Sequence, residues 1–427
     1  MISRWEWIWT LITRRLWFRA GLYGIAAVVT ALVAAFVPPV LDNTDITEVF
    51  GADSVEDILR IMASSMLAVA TFSLGTMVSA FAAAASTATP RASRLLVEDS
   101  TSQNVLSTFI GAFIFSLVGI IALSTSFYGP TGRVILFFVT LIVIAGVLIT
   151  FFRWIDYLSH LGRLGETVDK VEVATAKAIM ARWQSPHLGC AALVSVPTSS
   201  FPLLGQRIGY IQYLDVSALS RIAETAGGSI YVVRLPGAFS DTTEPLAWTS
   251  WEPDEDERAA LINAFLIDSA RSFPQDPRFG LIVLSEIASR ALSPGINDPG
   301  TAIDIIGRVV RILSILAGER DAEADEIHYP SVFIPTVSVD DAFDDVFNAI
   351  ARDGAATLEV GIRMQKAFRT LARMGRPDFG DNARRHSALA LKRSLAALTL
   401  DEDKRTIEAI AAEVGAGGDQ ARSTSLK

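Results

Sequence analysis

Residues 133–152 read RVILFFVTLIVIAGVLITFF, a run in which the opening arginine is the only charge. A helix of roughly 20 apolar residues crosses the ~30 Å hydrocarbon core of a bilayer, because its backbone groups bond within the segment and its side chains meet lipid. A helix buried in a large soluble protein can be equally apolar. The neighbouring sequence decides against that reading: residues 17–37, 58–85 and 105–127 share the same character, so four such runs crowd the first 155 residues. The expected fold is membrane α-helical, with four transmembrane helices in a domain over 1–157. A cytoplasmic α+β domain, mostly helical after a small strand-rich module, follows it.

The remainder of the chain has a different composition. Lysine does not occur before Lys170, and nearly all of the net charge of −9 falls beyond residue 159. The mean hydropathy of +0.38 is therefore an average over a front part made for lipid and a longer back part made for water. An acidic soluble portion argues against nucleic acid as a partner, since phosphate recognition needs a basic face. The single cysteine, Cys190, excludes an internal disulfide framework. Arg14, Arg15 and Arg19 before the run Leu22–Val37 resemble a signal peptide, but the run ends in Pro38-Pro39 without a small-x-small cleavage site. It reads as a retained first span.

Charged flanks orient the spans. Arg4, Arg14, Arg15 and Arg19 precede the first, and the loop 42–57 holds six acids and no Lys or Arg. Arg91 and Arg94 follow the second span, while Arg153, Arg163 and Lys170 follow the fourth. Positive-inside bias places both termini and the soluble domain in the cytoplasm of a bacterial inner membrane. Arg133, in the short third loop, is outnumbered on the opposite side.

The second span differs from the others. Ser64, Ala68, Thr71, Gly75, Ser79, Ala82 and Ser86 recur at helical spacing and make one small, weakly polar face. Such a face is either a packing seam, within the bundle or between subunits, or the lining of a pore whose hydroxyls replace part of an ion's hydration shell. No Asp, Glu, Lys or His lies inside a span, which counts against a proton relay or charge-coupled transporter.

Beyond the fourth span, helical periodicity continues towards Trp183 and suggests a helical stalk over 158–186. Arg153, Asp156 and His160 share one face at the membrane boundary. A small α+β module over 187–253 follows: Gly209–Leu214 and Ser229–Leu235 are strand-like, with a helix from Ser217 to Ala226 between them. It carries neither a dinucleotide fingerprint nor a P-loop. Residues 254–414 read as a helical cytoplasmic domain, opened by a helix from Asp254 to Ser272, and 415–427 as a disordered tail. Two loops, Ser272-Phe-Pro-Gln-Asp-Pro277 and Ser293-Pro-Gly-Ile-Asn-Asp-Pro299, end alike in Asp-Pro. Asp276 and Asp298 suit N-caps, with Pro277 and Pro299 at the first helical position. The alternative is a polar site built from Arg271, Gln275, Asp276, Asn297, Asp298 and Thr301, which requires the two loops to meet. A helix of about 15 residues, ~22 Å long, separates them.

The segment Arg290-Ala-Leu-Ser-Pro-Gly-Ile-Asn-Asp-Pro-Gly-Thr-Ala302 resembles the signature of a family of bacterial predicted membrane proteins, domain of unknown function 2254. Arg271-Ser-Phe-Pro-Gln-Asp-Pro-Arg-Phe-Gly280 and the Pro90-Arg91 turn resemble it as well, although the family often has Thr at position 272 and Phe at position 300. The resemblance spans about residues 10 to 400. It implies four spans and a cytoplasmic domain, and it brings no catalytic residues.

Asp340, Asp341, Asp344 and Asp345 crowd a helix start, where the macrodipole favours negative charge. Lys366, Arg369, Arg373 and Arg376 form a basic stripe that suits a solvated face or a partner for that acidic run, with inner-leaflet lipid contact as the alternative. His160, His187, His328 and His386 are scattered without metal-ligand spacing, so neither a metal nor a cofactor is expected and enzyme chemistry has little support. The leading expectation is a homo-oligomeric channel or channel-like transport protein, with the lipid bilayer, further copies of itself and a small ion or small-molecule ligand as partners. The alternative is a membrane-anchored ligand sensor or scaffold.

Overall fold

The computed structural model describes residues 52–424 apart from 98, 125–129, 319 and 321–325, together with scattered positions between 18 and 33. The chain divides into two units, Met1–Thr167 and Val168–Lys427.

The first unit holds α1 (Ala52–Thr87), α2 (Ser93–Val97), α3 (Ser100–Ser124) and α4 (Pro130–His160). Three stretches, Ser54–Thr87, Ser93–Ser124 and Gly132–Ser159, are long and apolar enough to cross a membrane. The remaining expected span, 17–37, falls mostly outside the described residues, although the positions described there are helical. Glu56 and Asp57 lie in the first turns of α1, where a helix N-terminus accommodates acids, and Glu56 pairs with Arg60 at 2.7 Å. Pro90 cannot supply a helix-interior N–H and ends the rod, while the Thr89 hydroxyl accepts from the Ala92 N–H at 3.2 Å to start the next turn. Helix α3 then returns along α1, and Leu59 occupies the space a Cβ on Gly119 would need, at 2.9 Å. Phe109, Phe115, Leu136 and Trp154 are buried between the helices. Phe72, Val78, Ile121, Ile142 and Phe152 point outward, an apolar surface that water would penalise and lipid accepts.

The expected stalk is not one continuous helix. Helix α4 stops at His160, Gly162 takes a left-handed conformation (φ +83°), and α5 (Leu164–Gln184) starts afresh. A glycine adopts that φ without a Cβ clash, which makes it a natural place for the break.

In the second unit, five strands form one sheet in the order β1-β8-β4-β6-β2: Cys190–Ala192, Tyr329–Ile334, Ile230–Val232, Pro245–Thr249 and Phe201–Leu204. β8 is parallel to both of its neighbours, and the other pairs are antiparallel. A smaller antiparallel sheet has the order β5-β3-β7, from Phe239–Ser240, Gly209–Leu214 and Phe265–Asp268. Helix α6 (Val216–Ala226) is capped by Asp215 and closed by Gly227 in the left-handed region (φ +64°). Its buried face, including Leu219 and Ala223, joins the core of the larger sheet.

Two boundaries differ from those expected. The helix read as Asp254 to Ser272 is α7, Glu255–Asn263, and Phe265–Asp268 leaves it to pair with β3. The sheet is also not contained in 187–253, because β8 enters its interior from beyond residue 328. Strand pairing rewards contacts distant in sequence, which local periodicity does not report.

The rest of the unit is helical: α8 (Pro277–Ala291), α9 (Pro299–Ile315), α10 (Val339–Asp353), α11 (Leu358–Ala372), α12 (Pro377–Ala397) and α13 (Asp401–Thr424), which continues past Gly415. Phe343, Phe347, Phe368 and Phe379 are fully buried, and the ring of His386 lies among the first three. Burial pushes His386 down to about 4, so it is neutral at physiological pH. Helix α5 lies on this bundle: Thr175 fills the space a side chain at Gly280 would take, and Glu172 pairs with Arg311 at 2.8 Å and with Arg308 at 2.6 Å.

Candidate functional site

The small face of α1 is turned away from the other described helices. Ser64, Ala68, Thr71, Gly75, Ser79, Ala82 and Ser86 are all exposed, whereas Leu59, Met62, Ala70, Ser73, Met77 and Ala84 are buried. A Cβ on Gly75 would meet nothing within 4 Å. Each hydroxyl on the face donates to its own helix: Ser64 to the Ile61 carbonyl (3.0 Å), Thr71 to Leu67 (2.8 Å), Ser79 to Gly75 (3.0 Å) and Ser86 to Ala83 (2.7 Å). With the proton committed, the oxygen lone pairs are what the face offers outward. Two hydroxyls on other faces, Ser73 and Ser107, are completely buried and have no partner among the described residues.

At the end of α4, Arg153 and Asp156 are exposed, and His160 is the helix's last residue. Trp154, on the inner side of the same stretch, stacks on Tyr157 (5.6 Å between centroids), whose hydroxyl meets that of Ser102 at 2.9 Å.

Both Asp-Pro loops cap helices as their residues demand. Asp276 accepts from the Phe279 N–H (3.1 Å) and Asp298 from the Thr301 N–H (3.1 Å), each with proline at the first helical position. Beyond the caps they differ. Arg271 grips Asp276 with two parallel bonds, Nε to Oδ2 at 2.7 Å and Nη2 to Oδ1 at 2.8 Å, and its guanidinium lies 5.4 Å from the Phe279 ring centre. The Gln275 side chain accepts from the Leu214 N–H at 3.0 Å, which ties this loop to the end of β3. Burial raises the Asp276 carboxyl, against the pull of Arg271 and the backbone donors. Asp298 is instead bonded by the Thr301 hydroxyl (2.5 Å), and that bond holds its carboxyl below the usual range. Asn297 takes a left-handed conformation (φ 50°) that asparagine tolerates. Arg271, Gln275 and Asp276 thus stand together, and among the described residues no hydrogen bond or ion pair joins them to Asn297, Asp298 or Thr301.

The acidic run at the start of α10 is divided among partners. Arg278 binds Asp341 (2.5 Å) and Asp345 (2.6 Å), Arg385 binds Asp344 (2.9 Å), and Asn382 binds Asp340. Of the basic stripe, Arg369 pairs with Glu413 and Arg376 with Asp378 (2.5 Å), so those two do not serve that run.

A cavity of about 720 Å³ lies in the second unit, walled by the end of α5, the starts of α8, α10 and α12, and the segment leaving α9. Four arginines (Arg182, Arg278, Arg320 and Arg376) and two aspartates (Asp340 and Asp378) line it. The guanidinium groups of Arg320 and Arg376 lie 4.9 and 4.8 Å from the Trp183 ring centre. No sequence motif marks this place, since its arginines come from elements nearly 200 residues apart. The only local signal is the pair Arg182-Trp183. Among the described residues, no group of three His, Cys, Asp or Glu is placed to hold a metal.

Residues 13–370 match the family described as Predicted membrane protein (DUF2254). The chain is also similar to the uncharacterized protein Rv1290c of Mycobacterium tuberculosis and the uncharacterized protein Mb1321c of Mycobacterium bovis. Each is 27% identical over 242 residues, covering 52% of this chain and 45% of the relative. The chain thus spans a little under half the length of these curated relatives. No solved structure matches it.

Proposed function

The chain belongs to this family of predicted membrane proteins, and from that premise we propose that it is a homo-oligomeric, channel-like protein of the bacterial inner membrane. Its second unit, in the cytoplasm with both termini, assembles and gates the pore. The observation that carries this reading is the small face of α1, which none of the other described helices covers. A face of serine, threonine, glycine and alanine gains nothing from lipid tails, but it lets a second copy approach closely or lets water and ions pass. Its hydroxyls have already donated to the backbone, so they present oxygen lone pairs and favour a cation. Several copies are required, because so few helices close into a tight bundle without a lumen. The basic flanks Arg91, Arg94, Arg153 and Arg163 support the orientation.

Purified protein in liposomes should pass monovalent cations above the protein-free background, and Gly75→Phe should block most of that flux while leaving the oligomer intact. A monomer by native mass spectrometry, or no flux under any voltage, pH or tension, would remove this reading. The arginine-lined cavity favours a second one, a membrane-anchored ligand sensor.

A further inference from the structure

We infer that the cavity of the second unit binds a small organic phosphate. The inference deepens the ligand-sensor reading and is independent of whether the membrane helices conduct.

The strongest observation is the state of the donors around the cavity. Arg182 is only 7% exposed, and its single hydrogen bond is a long one from Nη2 to the Pro335 carbonyl, 3.4 Å. Its Nε and Nη1, and the neighbouring Trp183 Nε1, are shielded from solvent and have no partner among the described residues. Every buried, unpartnered side-chain polar atom among the lining residues is therefore a donor, and none is an acceptor. Burial pushes Arg182 down to about 10, which leaves it charged at neutral pH. A buried cation without a counter-ion is strongly unfavourable, and an entering oxyanion supplies the missing charge and the missing acceptors together.

The other charges at the cavity are already spoken for. Arg278 is held by Asp341 and Asp345, Arg376 by Asp378, and Asp340 by Asn382. Arg182 is left to recognise the ligand, and rotation of its terminal torsions turns the unpaired donors to an occupant. Arg320 rests on the Trp183 ring at the rim. Leu281, Leu316, Val337 and Val339 give part of the wall an apolar character that suits an organic body. The volume of about 720 Å³ exceeds what inorganic phosphate fills and lies within the roughly 300–1,000 Å³ of small-molecule sites.

The test is calorimetric titration of the full chain in detergent with inorganic phosphate, glycerol 3-phosphate and adenosine monophosphate, with sodium chloride as the control. The organic phosphates should bind more tightly than inorganic phosphate. Tighter binding of glycerol 3-phosphate would identify a lipid-headgroup source, and tighter binding of the nucleotide a soluble one. Arg182→Met should weaken binding by at least about tenfold. Without ligand, Arg182→Met should melt no lower than the natural protein, because it removes an unpaired buried charge. No heat with any phosphate, or binding unchanged in Arg182→Met, would overturn the inference. Because the assay reads binding in detergent, its failure is distinct from a failure to conduct.

Discussion

The two Asp-Pro helix starts have nearly the same local design and different fates. At α8, Asp276 is 2% exposed, gripped by Arg271 and overlain by the left-handed Gly237 (φ +95°), where a Cβ would collide with the carboxylate. At α9, Asp298 stands at the edge of an exposed loop and bonds within its own turn, to Thr301. The first cap joins the small sheet to the helical bundle; the second only starts a helix. A shared motif therefore says how a helix begins, and what surrounds it sets how much stability depends on that beginning.

Substitutions can break or sharpen this contrast. Asp276→Ala should cost about 2–4 kcal/mol, since it removes a buried cap and leaves the half-buried Arg271 without its partner. Chemical denaturation of the full chain in detergent would measure it, and a loss below ~1 kcal/mol would erase the distinction. Gly237→Ala comes next, at roughly 2–3 kcal/mol, from a disfavoured backbone conformation together with displacement of the Asp276 carboxylate. Asp298→Ala should cost only about 1 kcal/mol, an ordinary cap loss.

The pH dependences should run in opposite directions. Asp298 has a depressed folded pKa, so its contribution is complete above the ordinary value of 3.8 and is lost as the pH falls through the folded value. Asp276 has a raised one, so its proton-linked contribution is present below 3.8 and lost as the pH rises through the folded value. Melting curves of the two Asp→Asn variants between pH 3 and 6 would compare them, and parallel behaviour would contradict the difference in burial. Gly300→Ala should have the smallest effect, within about 0.5 kcal/mol: a Cβ there comes 3.3 Å from Oδ1 of the half-buried Asp298, a side-chain atom that can yield. If Gly300→Ala cost as much as Gly237→Ala, the second loop would be as constrained as the first.

The same division between local and distant information runs through the molecule. Both Asp-Pro caps were legible because a cap is a bond between residues three apart. The small face of α1 was legible as a pattern, since side chains at helical spacing share a side wherever the helix sits. That it faces away from the other described helices was not, because facing depends on which side Leu59 and Met77 bury. The grip of Arg271 on Asp276 could be guessed from five-residue proximity, but the burial that raises its importance comes from Gly237 and the sheet. Strand β8 was missed because its partners, β1 and β4, lie about 100 or more residues earlier. The arginine cavity was missed for the same reason: Arg182, Arg320 and Arg376 belong to no common motif.

By itself the sequence determined that its front helices are long and apolar enough to cross a membrane, that the composition changes near residue 160, and where α8 and α9 start. Apolar content, charge balance and capping act over one or two turns and are written in consecutive residues. Only the tertiary structure decided which face of α1 the other described helices leave uncovered, which aspartate is buried and which guanidinium lacks a counter-ion among the described residues. Burial and pairing are properties of neighbours in space, and the folded chain chooses those neighbours from far apart in the sequence.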